Sequence, residues 1–248
     1  MKYSTSGAAL LISLLCTLTS VRAAATVPPS TAPAPITFDG GKGVFDFTER
    51  LRFEDRQNNF DFNSAAHSLT DDSWFEQRFR VGFTWKPDSS FSLQVQLQDT
   101  REWGSERPKV PFILGAEGND ALDLRLAAIA WGDPKKSPVV FILGRQTILL
   151  GEERLVGASE WNNFGRVFDA GKLVWNVVPG QTTATVFVSS VVNIQRTNLG
   201  DGWQLNHSST DDLFSGIYVS HKLDKANILD GYSGCSHSGA SRSLTRKF

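Results

Sequence analysis

Phe75-Glu76-Gln77-Arg78-Phe79-Arg80-Val81-Gly82-Phe83-Thr84-Trp85-Lys86 reads with a period of two. Phe75, Phe79, Val81, Phe83 and Trp85 share one face with Gln77, and Glu76, Arg78, Arg80, Gly82, Thr84 and Lys86 take the other. Successive side chains of an extended chain point to opposite faces, so this stretch predicts a strand with one apolar and one charged face. The same period spreads in both directions. Upstream, over residues 44–54, Phe45, Phe47, Leu51 and Phe53 fall together, with Glu49 the exception, opposite Asp46, Thr48, Arg50, Arg52 and Glu54. Downstream, Phe91, Leu93, Val95 and Leu97 oppose Ser92, Gln94, Gln96 and Gln98, and Leu122, Leu124 and Leu126 oppose Asp123 and Arg125. Four further strands have less contrast. Residues 139–150 are apolar on both faces until Gly144-Arg145-Gln146, residues 167–177 are ambiguous in parity around Gly171, and residues 182–194 and 213–223 alternate again. Each run has about the ten residues that a tilted strand needs to cross a bilayer.

The connections alternate in length. Long ones cover 55–73, 101–121, 151–166 and 195–212, and short ones 87–90, 132–138, 179–181 and 224–227. Short turns at one end and long loops at the other are the pattern of an outer-membrane barrel. Tryptophan adds a signal: Trp85, Trp131 and Trp175 precede short turns, and Trp74, Trp103, Trp161 and Trp203 lie beside or in long loops. Amphipathic rings favour the membrane–water interface, so two aromatic girdles are expected. Alternating strands also build soluble sandwiches, whose polar faces meet bulk water. Loop asymmetry, tryptophan placement and the N-terminus favour an all-β, antiparallel transmembrane barrel with about eight strands present.

Residues 1–24 read as a secretory signal, with Lys2 as the charged start, an apolar stretch from Ala8 to Leu18 and small residues at Ala23, Ala24 and Ala25. Cys16 follows Leu15 instead of a small residue, which argues against a lipid-anchored cysteine. After processing Cys235 stands alone, so no disulfide framework is expected. Residues 25–42 read as a flexible periplasmic lead-in, rich at their start in Pro, Ala, Ser and Thr. Beyond the signal no apolar run approaches the roughly 18 residues of a membrane helix. A mean hydropathy of −0.20 is compatible with a barrel, which hides its apolar surface at alternate positions. The net charge of −1 gives no global field that points to nucleic acid.

No catalytic constellation is present. His67, His207, His221 and His237 lack metal-ligand spacing, and there is neither a G-x-S-x-G elbow nor a phosphate loop, so no enzyme activity, cofactor or metal is expected. Gly151-Glu152-Glu153-Arg154 reads as a loop salt bridge made with Arg154 or Arg145. The informative residues are the cations of the polar face. Arg50, Arg52, Arg78, Arg80, Lys86 and Arg125 share it with Asp46, Glu54, Glu76 and Asp123, and Lys172 and Lys222 join them. A wet channel with low-dielectric walls focuses such a cationic excess on anionic solutes, while the carboxylates hold the arginines in place. The plainer alternative is that the charges pair to fill a wet lumen.

Leu143-Gly144-Arg145-Gln146, Gly151, Glu153-Arg154-Leu155, Gly157, Trp161, Asn163, Gly165-Arg166 and Phe168-Asp169 together resemble the alginate export family. Phe47-Thr48-Glu49-Arg50-Leu51-Arg52-Phe53-Glu54 and Arg78-Phe79-Arg80-Val81-Gly82 fit the same family, and the resemblance covers residues 43–232. It implies an outer-membrane barrel of about eighteen strands. It also implies passage of an anionic polysaccharide through an arginine-lined constriction, with lipid and periplasmic export proteins as partners. Arg145, Arg154, Arg166 and Asp169 match the central motif and take over a pore or loop-anchoring role. Arg50, Arg52, Arg78, Arg80, Arg125 and Lys172 are pore-lining candidates by parity. A general diffusion porin and a small closed barrel with an enzyme or adhesion role remain as alternatives. A ninth strand begins at Ile228 and loses its alternation after Tyr232. Residues 233–248 differ in composition from all that precedes them, which predicts a truncated or frameshifted reading frame.

Overall fold

A computed structural model describes residues 35–57, 71–106, 119–133, 136–195 and 204–238. The chain divides into two units, 1–34 and 35–248, and every described residue belongs to the second. That unit is one antiparallel sheet. Its strands are β1 (Ile36–Phe38), β2 (Gly43–Arg56), β3 (Asp72–Trp85), β4 (Phe91–Trp103), β5 (Asp120–Trp131) and β6 (Val139–Gln146), then β7 (Phe168–Val178), β8 (Thr182–Asn193), β9 (His207–Ser208), β10 (Asp212–Lys222) and β11 (Ile228–Ser238). Neighbours in sequence are neighbours in the sheet from β1 to β8, then β10 and β11 follow, and the short β9 pairs with β8. Among the described residues β1 and β11 end this path and do not pair with each other. No helix among them is long and apolar enough to cross a membrane.

The sheet is built inside out. One face is covered by the 147–167 connection, and buried on that face lie Glu76, Arg80, Gln98, Asp123 and Arg125, all less than 9% exposed. Phe47, Leu51, Phe53, Phe75, Leu143, Val188 and Ile217 point the other way and are 46–72% exposed. Burial in water drives apolar side chains inward, so a sheet that buries its charges and exposes its phenylalanines is arranged for a lipid exterior. The charged face expected from parity is therefore the inner one. Glu49 and Gln77, polar residues on the apolar face, meet: Gln77 Nε2 donates to Glu49 Oε1 at 2.7 Å.

Aromatic rings form a belt at the short-turn end. Phe38, Phe45 and Phe83 cluster with centroids 5.1–5.6 Å apart, and Trp85, Phe91, Trp131 and Phe141 follow in a chain of contacts at 5.9–6.4 Å. The tryptophan expectation fails in part at the other end. Trp103 is half exposed, but Trp74 is 1% exposed, donating Nε1–H to Glu76 Oε1 at 2.9 Å beneath the Arg56 guanidinium. Trp161 sits over Arg52 on the inner face, and Trp203 lies outside the described residues. Arginine stacking holds Trp74 and Trp161 inside.

Four details differ from the reading by parity. First, β4 and β5 slip register between Gln96/Leu97, where Arg125 is the extra residue of a bulge between Leu124 and Leu126. Beyond it the facing reverses. Leu126 is 6% exposed and packs with Val167 and Val192 instead of joining Leu122 outside. Second, β6 ends at Gln146, not at residue 150. Gly144 has φ +114, and a Cβ there would overlap the Ala127 carbonyl oxygen, so only glycine fits at this point, two residues before the strand ends. Third, the expected lead-in contains β1, registered as Ile36↔Phe45 to Phe38↔Gly43 and pinned by the phenylalanine cluster. Fourth, β11 does not dissolve after Tyr232 but runs in register with β10 to Asp212↔Ser238. Backbone hydrogen bonds sustain a ladder without alternating side chains. The loss of alternation shows instead on the outer face, where Cys235 lies beside Ser215 at 3.1 Å.

Candidate functional site

The inner face of β2 to β5 is a field of guanidinium groups, and the 147–167 connection folds into it. Four β-strand partners fix the arginines. Arg80 Nε donates to Gln98 Oε1 at 2.6 Å, Arg125 Nη1 to Gln96 Oε1 at 2.8 Å, and Arg52 pairs with Glu76 and, through Nε at 2.7 Å, with Glu54. Glu76 is 2% exposed and also receives Trp74, so Arg52 and Trp74 together satisfy a carboxylate with almost no access to water. Breaking such a pair costs several kcal/mol because the remaining charge stays buried.

Glu160, in the connection, is the residue the arginines converge on. Arg80 Nη1 lies 2.8 Å and Arg78 Nη1 3.1 Å from its Oε2, and Arg125 Nη2 takes its Oε1. The backbone around it is held as well. Arg50 Nη1 donates to the Glu160 carbonyl at 2.8 Å, Arg78 reaches the same oxygen at 3.1 Å, and both reach the Asn162 carbonyl at 3.2 Å. Arg52 takes the Trp161 carbonyl. Asn163, fully buried, donates Nδ2–H to the backbone oxygens of Gln77 and Arg101 at 3.1 Å, and Gln98 Nε2 donates to the Phe164 carbonyl at 2.9 Å. Gly165, at φ +72, lets the chain turn against Arg80, whose Nη2 would stand 3.2 Å from a Cβ there. Burial works against the Glu160 charge. The Arg80 hydrogen bond and the charges of Arg80, Arg125 and Arg78 outweigh it and hold the carboxyl below the usual carboxylate range.

The connection also touches the far side of the sheet. Gly151 lies so near Tyr218 and Asp230, of β10 and β11, that a Cβ would stand 3.0 and 3.2 Å from their oxygens. One loop therefore spans the inner face from β11 to β2.

A second polar cluster lies along β5 to β7. Arg145 grips Asp169 with two hydrogen bonds, 2.9 and 3.1 Å long, and donates to the Leu124 carbonyl at 2.9 Å. Ser208 donates to Asp169 at 2.8 Å, while Asn206 donates to Asp123 and Asp120 at 3.1 and 2.8 Å. Arg145 and Asp169 thus act together as anchors, tying β6 and β7 to the connection that carries β9. The remaining candidates are dispersed. Lys172 Nζ donates to the Thr147 carbonyl at 3.3 Å, Arg166 is exposed, with its backbone N–H bonded to the Ala158 carbonyl, and Arg154 pairs with Glu152 at 2.8 Å in the open. No group of three or more His, Cys, Asp or Glu among the described residues is placed to hold a metal.

A family model described as alginate export matches residues 44–246. The chain belongs to the alginate export family. No curated protein and no solved structure matches it. The alginate export family is one of outer-membrane transport channels, and the exposed apolar face of the sheet agrees with that setting. Within the family match lie Arg50, Arg52, Arg78, Arg80 and Arg125 and the loop that engages them. Sequence reasoning singled out those arginines, named Asn163 only within the family motif and Gln96 and Gln98 only as polar-face residues, and missed Glu160. One signal was available: an inner face with more arginines than carboxylates needs a counter-charge, and a long loop with three glutamates, Glu152, Glu153 and Glu160, can deliver it.

Proposed function

We propose that this chain forms wall and constriction of a channel that carries an anionic polysaccharide of the alginate type across the outer membrane, without catalysis. The reading rests chiefly on the Arg50, Arg78, Arg80 and Arg125 cluster, which faces inward on a sheet whose outer face is apolar. Guanidinium groups recognise carboxylates in a planar, two-point manner, and a row of them offers a polyuronate successive weak sites. The flanking Gln96, Gln98 and Glu76 keep the side chains extended across the inner face. Arg145, Asp169 and Lys172 serve to hold strands and loops in this reading, and Arg166 stands ready at the loop's exit.

The test is reversal potential in planar lipid bilayers under a potassium chloride gradient, followed by block with sodium polyuronate and neutral dextran. Anion selectivity and block by the polyuronate alone are expected. A cation-selective pore, or one blocked equally by dextran, refutes the proposal and leaves a general diffusion porin.

A further inference from the structure

Glu160 occupies the place where a ligand carboxylate would bind. Three guanidinium groups, those of Arg78, Arg80 and Arg125, share this one carboxylate. The cluster is under-neutralised, and its hydrogen-bonding capacity is not used up. Arg80 and Arg125 are 8% and 6% exposed, yet Arg80 Nη2 and Arg125 Nε have no hydrogen-bond partner among the described residues. A buried N–H without an acceptor costs about 1–3 kcal/mol, more when charged. A side chain that served only to neutralise the site would cover these donors. Glu160 comes from a loop and is itself 44% exposed at the side chain. It is therefore the displaceable member of the group, whereas the arginines rise from paired strands.

We propose that Glu160 is a tethered competitor: a carboxylate of a uronic acid unit replaces it on Arg78, Arg80 and Arg125, and the 147–167 loop is released from the inner face. The inference rests on the channel reading above and adds to it a resident occupant and a ligand-driven opening. Loop release is coupled to exchange because the same arginines hold its backbone. Arg78 binds both the Glu160 carboxylate and the carbonyls of Glu160 and Asn162. A guanidinium drawn to an arriving carboxylate gives up those carbonyls together with the side chain. The Glu153 carboxylate, which accepts the Ala158 N–H at 2.9 Å, keeps the loop's own fold through the movement, so that the segment swings as a unit.

The experiment uses Glu160→Gln, which keeps the shape and removes the charge. Binding of sodium glucuronate is titrated by tryptophan emission in phosphatidylcholine vesicles for the unmodified chain and E160Q, with glucose as the neutral control, and the ion selectivity of both is read from reversal potentials in planar bilayers. A tethered rival has an effective concentration on the order of millimolar, so its loss should lower the half-saturating glucuronate concentration at least about ten-fold. An unchanged or raised value overturns the latch. If both proteins select anions but respond equally to glucuronate, the latch fails and the channel reading stands. If neither selects anions, the channel reading itself fails.

Should E160Q not refold, judged by loss of heat-modifiable migration, a second measurement decides. Ala158, 3% exposed in the loop, is replaced by cysteine with Cys16 and Cys235 changed to serine, and maleimide labelling is followed with Glu160 intact. Glucuronate should raise the rate roughly five-fold or more, as expected for ligand-driven local opening, and glucose should not. A rate indifferent to glucuronate overturns the proposal.

Discussion

Replacing Val186 by arginine separates a lipid-facing sheet from a water-facing one. Val186 lies in the interior of β8, registered with Leu173 on β7 and Ile217 on β10, and the three side chains form an apolar row 42%, 37% and 51% exposed. It stands four residues from the turn at Thr182, so at about 3.3 Å per residue and a tilt near 45° it lies roughly 9 Å inside the interface. On a soluble surface, a substitution at so exposed a position changes stability by no more than about 0.5 kcal/mol. In a bilayer, an arginine near the middle of the lipid face costs about 2–4 kcal/mol. At 1.4 kcal/mol per factor of ten, that lowers the folded-to-unfolded ratio roughly 30- to 700-fold. The assay is urea unfolding of refolded protein in phosphatidylcholine vesicles, followed by tryptophan emission. Ser220→Arg, on the opposite face of β10 in register with Thr183 and Asp230, is the matched control and should stay within about 1 kcal/mol of the parent. A Val186→Arg cost below about 0.5 kcal/mol in vesicles would refute the lipid-facing assignment of this row.

Other outcomes follow from the inner face. Glu76→Ala leaves Arg52 and the Trp74 N–H facing an empty buried site and should cost about 3–5 kcal/mol in the same unfolding assay. Gly144→Val should lower stability by at least about 2 kcal/mol, because the backbone there is left-handed and abuts the Ala127 carbonyl. The Glu160 carboxyl is held below its ordinary value, so its contribution to loop docking is present above the unfolded value and is lost as pH falls through the folded one. Hydrogen exchange of loop amides should accordingly stay slow from pH 7 to about 5 and quicken only below the normal glutamate range near 4.3. Protection that fades between pH 7 and 5 would contradict the arginine grip. Cys235, on the outer face of β11, should react with a lipid-soluble maleimide in vesicles faster than with a charged one, and the reverse order would place it in water.

Much of the fold was legible because a pleated strand writes its two faces into alternate residues. Phe75 to Trp85 carry that record with Gln77 as the one exception, and the β2–β3 register follows it from end to end. The record fails where the backbone departs from the pleat. At Arg125 one extra residue places two consecutive side chains, Arg125 and Leu126, on the inner side, and counting by twos cannot show it. Parity also says nothing about depth. It put Trp74 at the membrane interface, but the buried Glu76 two residues on gives its indole N–H an internal acceptor. The arginines of the site were visible for the same reason as the strands, since they stand on alternating positions. Glu160 was not, because loop residues have no period and the contact with Arg80 spans 80 positions of sequence. Arg145 and Asp169 were named together from the motif, and their bidentate pairing explains why both belong to it.

The loop that bears Glu160 is fastened at both ends to adjacent strands, β6 and β7, and this sets a threshold for ligands. Its carboxylate cannot diffuse away, so a free monovalent sugar acid must outnumber it locally before exchange is appreciable. A polymer carries its acid groups in file, and once one is seated the next arrives without a new encounter from solution. Chain length then enters the response as strongly as charge does. A short acidic sugar would meet a closed passage at concentrations where a long one, dilute in molecules but dense in carboxylates, finds it open.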